Sequence, residues 1–80
     1  MTHADLLARI TTNPAVCHGK PCIRGLRIWV GVVLGMLEAG SSEDQIVAAY
    51  PELEPEDIRA CLAYAGELAR VRFVDLARAS

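Results

Sequence analysis

The sequence predicts a mainly α fold, a three-helix bundle of the helix-turn-helix kind with a short N-terminal β-strand arm, and three observations predict it. Its 80 residues suffice for a single modest core. Residues 10–28 are punctuated by Asn13-Pro14, Gly19, Pro21 and Gly25, too many breakers for a helix. From Val30 onward, three segments carry helical spacing with start and stop signals between them.

Taken in order, Thr2 is placed to cap a short first helix over residues 3–9, with Asp5 in its first turn. In the arm, residues 10–12, 22–24 and 26–29 read as strands, each so short that it needs a partner sheet or a second subunit. Residues 30–39 read as a helix stopped by Gly40. Val30, Val32, Val33, Leu34, Met36 and Leu37 surround that helix, which predicts burial on more than one side. Ser42 and Gln45 match a capping box that opens a second helix, ended by Pro51 after Tyr50. Pro55, Glu56 and Asp57 suit the first turn of a third helix. There Ile58, Cys61, Leu62, Ala65, Leu68 and Ala69 recur at spacings of three and four to about Arg70. The chain thus divides into an arm (1–29), a bundle (30–70) and an extension (71–80) that either continues the last helix or leaves it as a tail.

Apolar residues make up 52% of the chain and aromatics only 5%. The core is therefore aliphatic, and the apolar surplus points to burial against a second chain. Net charge is −2, unevenly spread. Residues 1–27 carry Arg9, Lys20, Arg24 and Arg27 against Asp5, a net +3. Residues 28–58 carry seven acids and no Lys or Arg, a net −7, and residues 59–80 return to +2. A polyanion would have to meet one of the basic ends. Three cysteines, an odd number, favour reduced thiols over a disulfide framework. No secretory signal is visible, and the longest apolar stretch falls far short of the roughly 20 residues that cross a bilayer. A cytoplasmic protein without membrane contact is expected.

The ordered landmarks Asn13-Pro14, Gly19-Lys20-Pro21, Ile23-Arg24-Gly25, Arg27-Ile28, Val30, Gly40, Ile46, Tyr50-Pro51, Leu53, Asp57-Ile58 and Leu62-Ala63-Tyr64-Ala65 resemble those of the DUF433 family of small bacterial and archaeal proteins. The resemblance implies a homeodomain-like three-helix domain. It also implies an antitoxin role, in the manner of VapB-like proteins, beside a PIN-like ribonuclease toxin. Leu26 and Glu54 depart from the family pattern, which usually has Thr at the first position and a capping Ser or Thr at the second.

Four groups of residues are functional candidates. Lys20, Arg24, Arg27 and Arg59 form the nucleic-acid set, for operator DNA; the alternative for the arm is that its cations are solvated or pair with the acidic middle segment. Helix-turn-helix docking is opposed by Glu54, Glu56 and Asp57, which would start the recognition helix with three acids. Trp29, Val30, Val33, Leu34 and Leu37 are the homodimer candidates, with Gly31-x-x-x-Gly35 as a weak close-approach signal. Arg70, Arg72, Phe73, Val74, Leu76 and Arg78 alternate cations with apolar residues, as a segment docking into an acidic nuclease groove would. Cys17, His18 and Cys22 form an incomplete zinc ligand set, so no metal or cofactor is expected. No nucleophile–base–acid constellation is present, so no catalysis is expected either. The remaining readings are a stand-alone transcriptional regulator and a purely structural dimeric scaffold.

Overall fold

Capping chemistry sets the limits of the helices in the computed structural model, which describes the backbone of residues 1–15 and 17–79 and the side chains of residues 1–15 and 18–70. Helix α1 spans His3–Leu7 and opens with a capping box, in which the Asp5 amide donates to Thr2 Oγ1 (3.1 Å) and the Thr2 amide to Asp5 Oδ2 (3.0 Å). Helix α2, Val30–Glu38, has no side-chain cap; the Val30 amide donates instead to the Pro21 carbonyl of the arm, at 3.0 Å. Its C-terminus closes with the two reversed bonds of a Schellman motif, Ser41 to the Met36 carbonyl and Gly40 to that of Leu37, with Gly40 at φ 95°. Helix α3, Glu43–Ala49, carries the Ser42–Gln45 capping box read from the sequence. Helix α4 runs Pro55–Ala79 without a break, so the backbone of residues 71–79 continues the helix.

The arm holds strand β1, Ile10–Thr11, antiparallel to strand β2, Cys22–Ile23, with Ile10 opposite Ile23 and Thr11 opposite Cys22. A single further bridge pairs Cys22 with Trp29. Strands were expected over residues 10–12, 22–24 and 26–29; the first two end at Thr11 and Ile23 and the third is reduced to the bridge at Trp29, and the backbone explains the interruption after Ile23. Arg24 and Gly25 both take positive φ (47° and 73°), and the Leu26 amide donates to the Ile23 carbonyl, forming a tight turn. The chain then returns along β2, with the Ile23 amide donating to the Ile28 carbonyl. The arm is thereby stitched to the start of α2.

One core joins arm and bundle: Ile23 and Ile28 pack with Val30 and Val33 of α2, Ile46 of α3, Leu53, and Ile58 and Cys61 of α4. Two expectations for α2 are corrected here. Val30 and Val33 are buried within the chain itself and so do not serve a dimer interface. Nor is the helix buried all round: Gly31 and Gly35 are exposed, with open space where a Cβ would stand, because only one stripe of α2 meets the other helices. Trp29, Leu34 and Leu37 remain half-buried. No helix among the described residues is long and apolar enough to cross a membrane.

Candidate functional site

The first turn of α4 holds the densest polar cluster among the described residues, and it is built around a side chain that solvent does not reach. Asp57 is 0% exposed, an environment that a carboxylate tolerates only with a full set of donors. Three residues supply them, through four hydrogen bonds. Arg24 grips both oxygens, through Nε to Oδ1 at 3.0 Å and Nη2 to Oδ2 at 2.9 Å. Arg9 Nη1 donates to Oδ1 at 2.9 Å, and the Glu54 amide donates to Oδ2 at 2.8 Å.

Each partner is placed by local structure. Arg9 sits between α1 and β1, while Arg24 is aimed by the left-handed turn after β2, where its own amide donates to the Arg9 carbonyl at 2.7 Å. Arg24 Nη2 also reaches the Glu52 carbonyl (2.8 Å), and Arg9 Nη1 reaches Glu54 Oε1 (2.8 Å). Burial pushes the Asp57 carboxyl up, but hydrogen bonds from Arg24, the Glu54 amide and Arg9 outweigh it and hold the group below its ordinary value. Both guanidiniums are correspondingly raised, that of Arg9 by Glu54 and Asp57 and that of Arg24 by Asp57.

This geometry changes two sequence expectations. Arg24, a candidate for phosphate, has its guanidinium committed to Asp57, the alternative in which the arm pairs with the acidic segment. Two of the three acids at the start of α4 are neutralised by arm arginines, so that helix end is far less repulsive to a polyanion than its sequence implies. The missing cap at Glu54 is also made good. Asp57 occupies the N3 position and accepts from the Glu54 amide, the reciprocal half of a capping box.

The remaining candidates lie elsewhere. Lys20 stands with Nζ 3.9 Å from the centroid of the Trp29 ring, a cation–π contact. Arg27 and Arg59 are exposed and make no ion pair among the described residues. Arg70 shares Glu67 Oε1 with His3 at 2.6 and 2.7 Å, tying α1 to α4 on the surface. The side chains of Arg72, Phe73, Val74, Leu76 and Arg78 lie outside the described residues. Cys22 is buried, with Sγ 3.2 Å from the Lys20 carbonyl, and among the described residues no three His, Cys, Asp or Glu side chains gather as a metal would require. Sequence reasoning counted Arg9 only in the charge of the arm, and read Asp57 as a first-turn acid that would oppose a polyanion rather than as a buried ion-pair partner. The spacing of Asp57 three residues after Glu54 was the available signal; nothing local marks Arg9.

Residues 10–65 match the model of a family described as a protein of unknown function, DUF433. The chain is 36% identical over 56 residues to the uncharacterized protein y4eO of Sinorhizobium fredii (strain NBRC 101917 / NGR234), an alignment that covers 70% of this chain and 25% of that protein. The chain thus spans about a quarter of the length of that curated relative. It also resembles the crystal structure of a DUF433 member protein from Anabaena variabilis ATCC 29413, with a TM-score of 0.72 and 28% identity over 92% of this chain and 73% of that one.

Proposed function

The chain belongs to the DUF433 family, and from that premise we propose that it is an antitoxin-type binding module, a homodimer in the cytoplasm that captures a PIN-like ribonuclease through the C-terminal half of α4. The observation carrying this reading is the length of α4 relative to the core. The helix runs Pro55–Ala79, whereas the last side chain it buries among the described residues is Cys61. Ala63 to Glu67 are half-buried and Leu68 to Arg70 exposed, and the helix backbone continues for about three turns past Glu67. In sequence that stretch combines Arg70, Arg72 and Arg78 with Phe73, Val74 and Leu76, the composition of a helix that lies in an apolar groove with cations facing acidic groups. The test is co-expression with a PIN-like ribonuclease toxin. Co-purification and relief of ribonuclease toxicity are expected, and both should be lost when the chain is truncated after Ala69; a truncated chain that still protects would overturn the assignment.

Operator DNA is a second reading, favoured by the neutralisation of Glu54 and Asp57 beside exposed Arg59. Lys20, Arg27 and Arg59 then contact phosphate, and Arg24 acts only through the turn it anchors. Promoter binding should weaken steeply with salt and fall on Arg27→Ala with Arg59→Ala. No mobility shift at low salt would remove this reading.

A further inference from the structure

With Arg9 and Arg24 committed to Glu54 and Asp57, the cations left to the arm are Lys20 and Arg27. Both are exposed, and neither enters an ion pair among the described residues. They differ in how they are held. Lys20, the only lysine of the chain, has its Nζ 3.9 Å from the ring centroid of Trp29, the only tryptophan. We propose that Trp29 is a positioning residue that holds the Lys20 ammonium for a phosphate of duplex DNA, so that the arm grips the DNA backbone without reading its sequence. The inference rests on the DNA reading above and is independent of any nuclease partner.

The backbone fixes both partners of this contact. The Lys20 carbonyl accepts from Cys22 Sγ at 3.2 Å, and the Pro21 carbonyl accepts from the Val30 amide at 3.0 Å. Cys22 in turn bridges to Trp29, so the pairing sets the indole opposite the segment that carries Lys20. The ring face then takes the ammonium. An unrestrained lysine stem loses rotamer freedom when it meets a phosphate, and here part of that loss has already occurred in folding. The ammonium has three donors, more than one ring face can occupy. The same contact excludes base stacking on that face of the indole, because Lys20 covers it. Nucleic acid is therefore met through charge, and phosphate contacts position a protein on DNA while carrying no sequence information.

Binding of the full chain to its own promoter duplex and to an unrelated duplex of equal length, measured across a range of salt, tests the proposal. Lys20→Gln should flatten the log–log salt dependence by about 0.9, the loss of one phosphate contact, on both duplexes alike. Trp29→Leu keeps the charge and should keep the slope, while weakening affinity about threefold at every salt concentration. Trp29→Phe retains an aromatic face and should recover part of that loss. In the free chain, Lys20→Gln should shift the fluorescence of Trp29. Lys20 is exposed, so its variant keeps the test open even where Trp29→Leu fails to fold. An unchanged slope for Lys20→Gln, a loss confined to the promoter duplex, or a folded Trp29→Leu that binds as the wild type does overturns the inference. Each of these leaves Arg27 and Arg59 as contacts and the DNA reading standing. A wild type that shifts neither duplex at low salt removes that reading and the inference with it.

Discussion

Arg24 and Asp57, separated by 33 positions in sequence, meet in a two-pronged ion pair at 3.0 and 2.9 Å, with the carboxylate wholly buried and the guanidinium at the rim. The pair pins the tip of the arm to the start of α4. A buried pair of this kind adds little over an apolar substitute, but losing one member leaves the other charge stranded.

Asp57→Asn is therefore expected to destabilise the chain by about 3–5 kcal/mol, a large share of the roughly 5–15 kcal/mol typical of a domain. Glu54→Gln, which touches only the exposed end of the cluster, should cost about 1 kcal/mol or less. Urea unfolding of both variants measures the contrast. Equal losses would mean that burial of Asp57 carries no special weight.

Acid should act through the same carboxylate. The folded chain holds the Asp57 proton less tightly than the unfolded chain does, so the group's contribution is complete at neutral pH. It starts to fade as pH falls past the ordinary value of 3.8 and vanishes below the folded-state value. Wild type and Asp57→Asn should thus differ most at neutral pH, and the gap should narrow once pH falls below 3.8. Urea midpoints at pH 7, 5 and 3 trace the gap, and a gap that widens in acid contradicts the assignment.

At Gly25 the cost is one of backbone conformation. Its φ of 73° is left-handed, yet nothing stands within 4 Å of the place a Cβ would occupy. Gly25→Ala should consequently cost about 1 kcal/mol from strain alone, with no steric clash to add. Asn tolerates this region better, so Gly25→Asn should recover part of the loss in a thermal melt.

The Cys61 thiol is predicted to be inert in the folded chain. Burial, with a smaller push from the Asp57 charge, raises its pKa to about 12, which leaves almost no thiolate at pH 8. Iodoacetamide labelling followed by mass spectrometry should modify Cys61 only in denaturant. Rapid native labelling would show that the helix opens locally.

What the sequence could disclose followed the range of the interactions involved. The Thr2 cap, the Ser42 capping box, the stop at Gly40 and the start at Pro55 are settled within a few residues, and all four were legible. The strand ends were not. Arg24 has no local reason to adopt positive φ; it does so because the turn brings its side chain to a carboxylate on another element. The nearly all-round apolar surface of α2 likewise predicted burial on every side, but periodicity does not reveal how many neighbours a helix receives.

By itself, then, the sequence determined the family, the order and kind of the helices, and the presence of a turn-rich arm, because capping, proline and glycine geometry and apolar spacing act over one or two turns. Only the tertiary structure decided that Arg9 and Arg24 close on Asp57, that the acidic start of α4 is neutralised, and that Val30 and Val33 belong to the interior of one chain. Those outcomes depend on which distant segments become neighbours, and a buried charge takes its partner from across the fold.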